Sequence, residues 1–462
     1  MVFSSSIFLF GFLPVTFFLY FVLFKRSRLW QNIMLLAVSL FFYAWGEPFC
    51  VFILIMSIVF SWLFGILIDR TSGGVKKLWL AAGIIFNVLI LFVFKYLNFF
   101  AENISGLLRV PNAVPSIALP IGISFFTFQA MSYIIDVYRE KRQSQKNPLF
   151  VGLYIAFFPQ LIAGPIVRYE TIADQIQNRK ESFDLFSEGV FRFVIGLGKK
   201  VILANSFAII ADSAFDMTNP AFSMAWLGAV AYSLQILFDF SGYSDMAIGL
   251  GKMFGFQFDE NFDKPYLATS VSDFWRRWHI SMGTWFRDYV YFPLGGSRVK
   301  KPRMVFNLLV VWLLTGLWHG ANWTFILWGA FYFVFITIEK FAKTEKRNIP
   351  KVIGHVYTLL LVLVGWVLFR SESVAAALTY LKSMVLVSGE GFATTSIYLT
   401  ENWAVLLIGV LACLPLGDRI WKRIRNDNVK AVLKTVSVCV IFIVSVTYVI
   451  KGTYNPFIYF NF

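Results

Sequence analysis

The sequence predicts an all-α, polytopic membrane protein, and three observations carry that prediction. Hydrophobic residues make up 58% of the chain and charged residues only 15%, where soluble domains carry about a quarter. Apolar runs recur at lengths near or beyond the roughly 18 residues that a helix needs to cross a bilayer. The basic residues behind the formal charge of +15 fall in short clusters between those runs: Lys25 to Arg28, Lys76 and Lys77, Arg139 to Lys146, and Lys340 to Lys351. That is the pattern of the positive-inside rule, so the charge is read as topology and nucleic acid is excluded as a partner.

Spans are predicted at about 7–24, 30–45, 49–68 and 78–100. The first has neither a basic leader nor a small-residue cleavage site and is expected to be retained. The basic loop from Lys25 to Arg28 places the N-terminus outside. Pro115, Pro120 and Gly122 then break an apolar run over 114–138, and a second break follows from Phe158 to Pro165. Broken helices at membrane depth are tolerated only where they are buried in protein or line a cavity.

The segment 186–212 carries Gly196, Gly198, Lys199 and Lys200, and the run 222–255 is interrupted at Asp239-Phe-Ser-Gly-Tyr-Ser-Asp245. Carboxylates at that depth are costly unless they face water, substrate or a charge partner. Pairing of Asp239 and Asp245 with Lys199, Lys200 or Arg276 is favoured over direct catalysis. Asp245 and Tyr243 stay as candidates for cavity lining.

Residues 256–303 are the least apolar part. Asp273 to Tyr289 read as one amphipathic helix at the cytoplasmic interface, in contact with membrane lipid. Phe274, Trp278, Met282 and Trp285 share its apolar face, with Arg276, Arg277 and Arg287 displaced from it. Spans resume at about 304–318, 321–338, 350–369, 403–416 and 431–450. A nearly neutral outer loop is expected from Arg370 to Asn402, and the basic loop 417–430 leaves the C-terminus outside. With no internal repeat, residues 1–462 are taken as one membrane domain, its motif-bearing core at about 41–340 and its C-terminal spans over 350–450.

Cys50, Cys413 and Cys439 lie far apart in apolar segments and read as packing residues, with no metal site. Two of the three histidines sit in polar-aromatic islands: His279 in Trp275-Arg-Arg-Trp-His-Ile-Ser281, and His319 between Gly316 and Gly320 with Trp318, Trp323 and Trp328 nearby. His355 opens an ordinary apolar span and reads as an interface residue. A buried imidazole costs free energy unless it is solvated or hydrogen-bonded, so His319 either bonds a neighbouring helix or faces a cavity and does chemistry.

Four stretches decide between those readings: Phe157 to Pro165, Phe240 to Gly249, Phe274 to Ser281 and Leu317 to Thr324. Together they resemble the membrane-bound O-acyltransferase family, most closely its bacterial branch in alginate O-acetylation and more distantly the members that D-alanylate teichoic acid. The resemblance runs from about Phe41 to Ile336. It implies a ring of about eleven transmembrane helices with broken helices around a central funnel. It also implies that His319 is the catalytic histidine and His279 the second polar position.

Acyl transfer to a hydroxyl needs a base of near-neutral pKa, which imidazole supplies. Trp275, Arg276, Arg277 and Trp278 are candidates for holding the donor's phosphate or pantetheine, with anchoring to anionic lipid as the alternative for the arginines. Asn322 would orient His319 from the same helical face if the helix continues. The donor is expected to be acetyl-CoA or an acyl-carrier thioester, used as substrate with no bound cofactor. Expected partners are a cytoplasmic acyl carrier, an extracytoplasmic acetyltransferase or esterase-like protein, and polysaccharide-synthesis machinery at a bacterial cytoplasmic membrane. A D-alanyl group is the alternative cargo, and a lipid or glycan transporter without acyl transfer the alternative class.

Overall fold

The computed structural model describes the chain apart from residues 113, 345–346, 348, 388–391, 453–457 and 459–462, so part of the basic cluster Lys340 to Lys351 lies outside the described residues. The described residues form helices and connections, without a strand among them. Among the described residues, eight helices are long and apolar enough to cross a membrane: Cys50–Arg70, Gly73–Leu108, Phe183–Phe215, Phe222–Met253, Trp323–Ala342, Lys351–Arg370, Phe392–Ala412 and Asp427–Lys451. Two shorter apolar helices, Phe8–Leu23 and Arg28–Ala44, precede them. The chain is a multi-pass, all-α membrane protein, as its composition predicts.

Three local expectations are corrected. The run Phe222–Met253 is one unbroken helix through Asp239 to Asp245. Its two carboxylates do not break it because each is met by a cation from the side: Lys200 Nζ lies 2.5 Å from Asp239, and Arg192 lies 2.6 Å from Asp245. The outer loop from Arg370 to Asn402 contains a helix, Val374–Ser383, started by Ser373, whose side chain accepts from Ala376 N; the following span begins already at Phe392. The third correction, at His279, belongs to the site.

The chain packs as two compact units, Met1–Phe193 with Ser244–Asp259, and Val194–Tyr243 with Glu260–Phe462. In the first, Phe3, Phe8, Phe42 and Phe158 are buried together. Both predicted breaks occur there. Gly122, at φ +75°, starts the helix Ile123–Tyr138, and a Cβ on it would press into the Leu161 carbonyl. The chain turns again at Phe157, and Gln160 Nε2 donates back to the Tyr154 carbonyl at 2.6 Å. Arg179 is a buried cation of this unit, donating to Asn32 Oδ1 at 2.7 Å and Tyr20 Oη at 3.0 Å, with its guanidinium 4.4 Å from the Phe256 ring centroid.

The second unit is built on a helical hairpin, Lys301–His319 and Trp323–Ala342. Small residues let the two backbones approach: a Cβ on Gly316 would collide with the Phe325 carbonyl, and one on Gly329 with the Trp312 carbonyl. The Lys301–His319 helix has the length of a span, but it carries Asn307, Thr315 and His319 and falls outside the eight most apolar helices. Lys351–Arg370 packs beside the hairpin, with Gly365 facing the Tyr332 ring.

Candidate active site

All three stretches that form the site lie in the second unit. The helix Val271–Arg277 starts at Ser270, whose side chain accepts from Asp273 N at 3.0 Å. Its next free N–H groups meet a buried carboxylate from the hairpin. Glu339 accepts from Val271 N at 2.7 Å, Ser272 N at 2.8 Å and Ser272 Oγ at 2.7 Å. A carboxylate there both satisfies orphan donors and complements the helix dipole.

The helix stops at Trp278. His279 takes a left-handed backbone, φ +46° and ψ +53°, and a second helix runs Ile280–Phe286. The single amphipathic helix expected over Asp273 to Tyr289 is therefore two helices with a corner at the histidine. The corner buries both sides: Phe274, Trp278, Met282 and Trp285 are all in the core. Left-handed backbone is strained for a residue with a Cβ, and Asn261 holds it in place. Its carbonyl accepts from Ile280 N at 3.0 Å, and its Oδ1 accepts from Ser281 N at 3.1 Å and Ser281 Oγ at 2.9 Å. The same oxygen lies 3.2 Å from His279 Nδ1, so Nδ1 carries the proton and Nε2 the lone pair. Burial pushes the His279 imidazole down to about 3, and the ring is neutral.

His319 closes the Lys301–His319 helix and is 3% exposed. Three rings meet it nearly edge-on: Trp318 at 5.0 Å, Trp328 at 5.0 Å and Phe369 at 5.1 Å between centroids. Trp318 also touches His279, at 5.8 Å, and so lies between the two histidines. Trp328 continues to Trp275 at 5.4 Å and Tyr332 at 5.2 Å, forming a continuous file of rings. Trp275 Nε1, Trp328 Nε1 and Tyr332 Oη have no hydrogen-bond partner among the described residues.

At the far end of the file lies a pocket of about 350 Å³. Its floor is apolar, with Trp275, Met282, Phe286, Leu308 and Trp312, and its rim carries Arg276, Arg287 and Lys340. Thr315 also lines it, and Thr315 is one helical turn before His319, about 6 Å of rise. Of the four residues expected at the donor, the pocket takes Trp275 and Arg276. Arg277 points elsewhere, bonded to Asp273 at 3.1 Å, and Trp278 is buried against Trp366 at 4.9 Å.

Asn322 is also placed differently from the expectation. The helix ends at His319, and Asn322 caps the next one, accepting from Thr324 N at 3.0 Å and donating through Nδ2 to the Glu372 carbonyl at 3.0 Å. The helix gives way to extended backbone at Gly320, φ −174° and ψ 159°, which packs so closely on the Phe325 ring that a Cβ there would collide with it. Asp245 belongs to the first unit, in its pair with Arg192, and Tyr243 is a buried residue of the second.

The family model of the membrane-bound O-acyltransferases matches residues 87–369 of this chain. The chain belongs to that family. It is similar over its full length to "Probable alginate O-acetylase AlgI" of Pseudomonas putida, 39% identical with 100% of both chains covered. It is 33% identical to a peptidoglycan O-acetyltransferase of Helicobacter pylori, covering 100% of this chain and 98% of the relative. A teichoic acid D-alanyltransferase of Bacillus subtilis is 31% identical over 53% of this chain and 65% of the relative.

As a membrane-bound O-acyltransferase the protein is an acyltransferase, and the transporter alternative falls away. Asn261 and Glu339 are the supporting residues that sequence reading missed. Glu339 had a signal, since a lone carboxylate near the end of an apolar run needs a partner. Asn261 had none, because its role depends on a corner that helical periodicity does not announce.

Proposed function

We propose that this protein moves an acetyl group from a cytoplasmic thioester to a hydroxyl of a cell-envelope polysaccharide, with His319 as general base. The observation that supports this most is the basic-rimmed, apolar pocket that ends one turn from His319. Arg276, Arg287 and Lys340 suit the phosphates of a donor, and the tryptophan floor suits the pantetheine arm. In this reading the mouth faces inside and the His319 end of the hairpin outside, with both termini outside, which the basic residues Lys301, Lys340 and Lys351 support.

In the reaction His319 takes the proton of the acceptor hydroxyl as its oxygen attacks the thioester carbonyl. The tetrahedral intermediate collapses, the C–S bond breaks, and the thiolate leaves with the proton returned by the imidazolium. An ester and a free thiol result. His279, neutral with its lone pair on Nε2, positions the donor carbonyl's surroundings through Trp318. The donor is acetyl-CoA or an acyl-carrier thioester, and an extracytoplasmic acetyltransferase or esterase-like partner within the polysaccharide machinery receives or directs the product.

The test is acyl transfer in membranes or nanodiscs from radiolabelled acetyl-CoA and from an acetylated carrier protein. Wild type is expected to label acceptor and His319→Ala, equally expressed and folded, to lose that labelling. Full activity in His319→Ala removes the base assignment, and labelling only from a D-alanyl carrier changes the cargo.

A further inference from the structure

The first unit holds a buried hydroxyl and a buried amine in direct contact. Lys95 Nζ donates to Ser124 Oγ at 3.1 Å, and both side chains are buried. We propose that they are a nucleophile–base pair, on which Ser124 takes up a small acyl group from an activated ester or thioester and holds it as a covalent ester. Neither residue takes part in the transfer proposed above.

Local structure presents each member. Lys95 lies in a widened π-helical turn, Phe92–Tyr96, within the long helix Gly73–Leu108. Such turns are rare and recur at functional sites. Ser124 is the second residue of the helix Ile123–Tyr138, directly after the left-handed Gly122, and no side chain caps that helix. Its neighbours' N–H groups bond to backbone, Ile123 N to the Pro120 carbonyl at 3.2 Å and Phe125 N to the Gly122 carbonyl at 3.0 Å. The positive end of the helix dipole therefore stands at Ser124, where the oxyanion of an attacked carbonyl would form. Asn98, one turn beyond Lys95, donates to the Ile117 carbonyl at 3.2 Å and so holds the irregular segment before Gly122 within a turn of the pair. Pro115, Ser116 and Ala118 are exposed in that segment, which puts the pair close to a non-helical stretch of surface.

The contact is that of a hydrogen-bonded serine and lysine, the arrangement in which an amine takes the part that imidazole plays in a serine triad. As the free amine, Lys95 takes the hydroxyl proton while Ser124 Oγ attacks the acyl carbonyl carbon. The tetrahedral intermediate collapses, the C–O or C–S bond to the leaving group breaks, and the proton passes from Lys95 to the departing alcohol or thiol. An acyl-serine ester remains. Burial of both side chains shelters that ester from bulk water and leaves room for a short acyl group rather than a long one.

The test is covalent labelling of the full chain in nanodiscs with a fluorophosphonate and with p-nitrophenyl acetate, the adduct being located by peptide mass spectrometry. Wild type is expected to carry the label on Ser124, and Ser124→Ala to carry none there. Lys95→Met, which keeps the reach of the side chain, and Lys95→Arg, which keeps its charge, should each slow labelling about 100-fold, the worth of a general base. His319→Ala should keep the label. A folded wild type without label on Ser124, labelling as fast in the two lysine variants as in wild type, or loss of the label in folded His319→Ala overturns the proposal. Acyl transfer without a label on Ser124 would leave the function above and remove this pair; a label without acyl transfer would do the reverse.

Discussion

His279 and His319 are both buried and both lie in tryptophan-rich islands, yet their surroundings are built on opposite terms. His279 is gripped through its backbone and Nδ1 by one asparagine and sits at a left-handed corner. His319 ends a regular helix inside a cage of ring edges, one turn beyond a pocket. The first arrangement fixes a shape, whereas the second holds the imidazole that the proposed reaction uses as its base. Burial and composition do not separate the two residues; what their nitrogens and backbones are tied to does.

The largest expected effect follows directly. Replacing His319 by Gln removes the proposed base and should lower kcat by about 10³-fold, within the range that general-base catalysis contributes. His279→Asn, which tolerates the left-handed backbone, should cost roughly 10-fold in kcat and be accompanied by lower thermal stability. Equal losses for the two variants, at unchanged stability, would erase the contrast. Asn261→Ala sharpens it further: with Ser281 N and His279 Nδ1 left without their acceptor, about 2–4 kcal/mol of stability should go. A scan of the unfolding midpoint in detergent reads this, and an unchanged midpoint contradicts the clasp.

A smaller effect separates the two neighbouring arginines. Arg276 rims the proposed donor pocket, held only loosely by Asp273 at 3.4 Å, and Arg276→Ala should raise KM for a thioester donor about tenfold, the worth of one charge-assisted hydrogen bond. Arg277 is paired with Asp273 and Asp263, so Arg277→Ala should shift stability by under about 1 kcal/mol and leave that KM alone. Steady-state kinetics with varied donor distinguish them, and the reverse pattern would return the sequence's undivided donor set.

That division shows what the sequence could and could not reveal. The membrane class, the broken helices at Gly122 and Phe157 and the pairing of Asp239 with Lys200 are legible, because charge in an apolar run must be answered and glycine or proline must interrupt a helix. The split of Arg276 from Arg277, and of Trp275 from Trp278, is not. It arises from a corner at a residue that intrinsic propensity would not choose for φ +46°, and only tertiary bonds to Asn261 make it favourable. Asn322 departs from the expected face for a related reason: one residue beyond His319 the chain leaves the helix at an extended Gly320, and Asn322 caps the next helix instead.

A further effect is one of pH, and it again belongs to one histidine. His279 has its folded value pushed down from 6.5 to about 3 by burial, so the unfolded chain binds a proton between those values and the native chain does not. Stability therefore rises with pH across that window: this contribution is intact above pH 6.5 and is lost progressively as pH falls towards 3. The unfolding midpoint of wild type in detergent should fall on acidification through this range. His279→Asn, with nothing to protonate there, should show a flatter slope although it starts from a lower midpoint. Parallel slopes for the two proteins would mean that the acid sensitivity lies in the carboxylate pairs, and that His279 is reached by water in the native state.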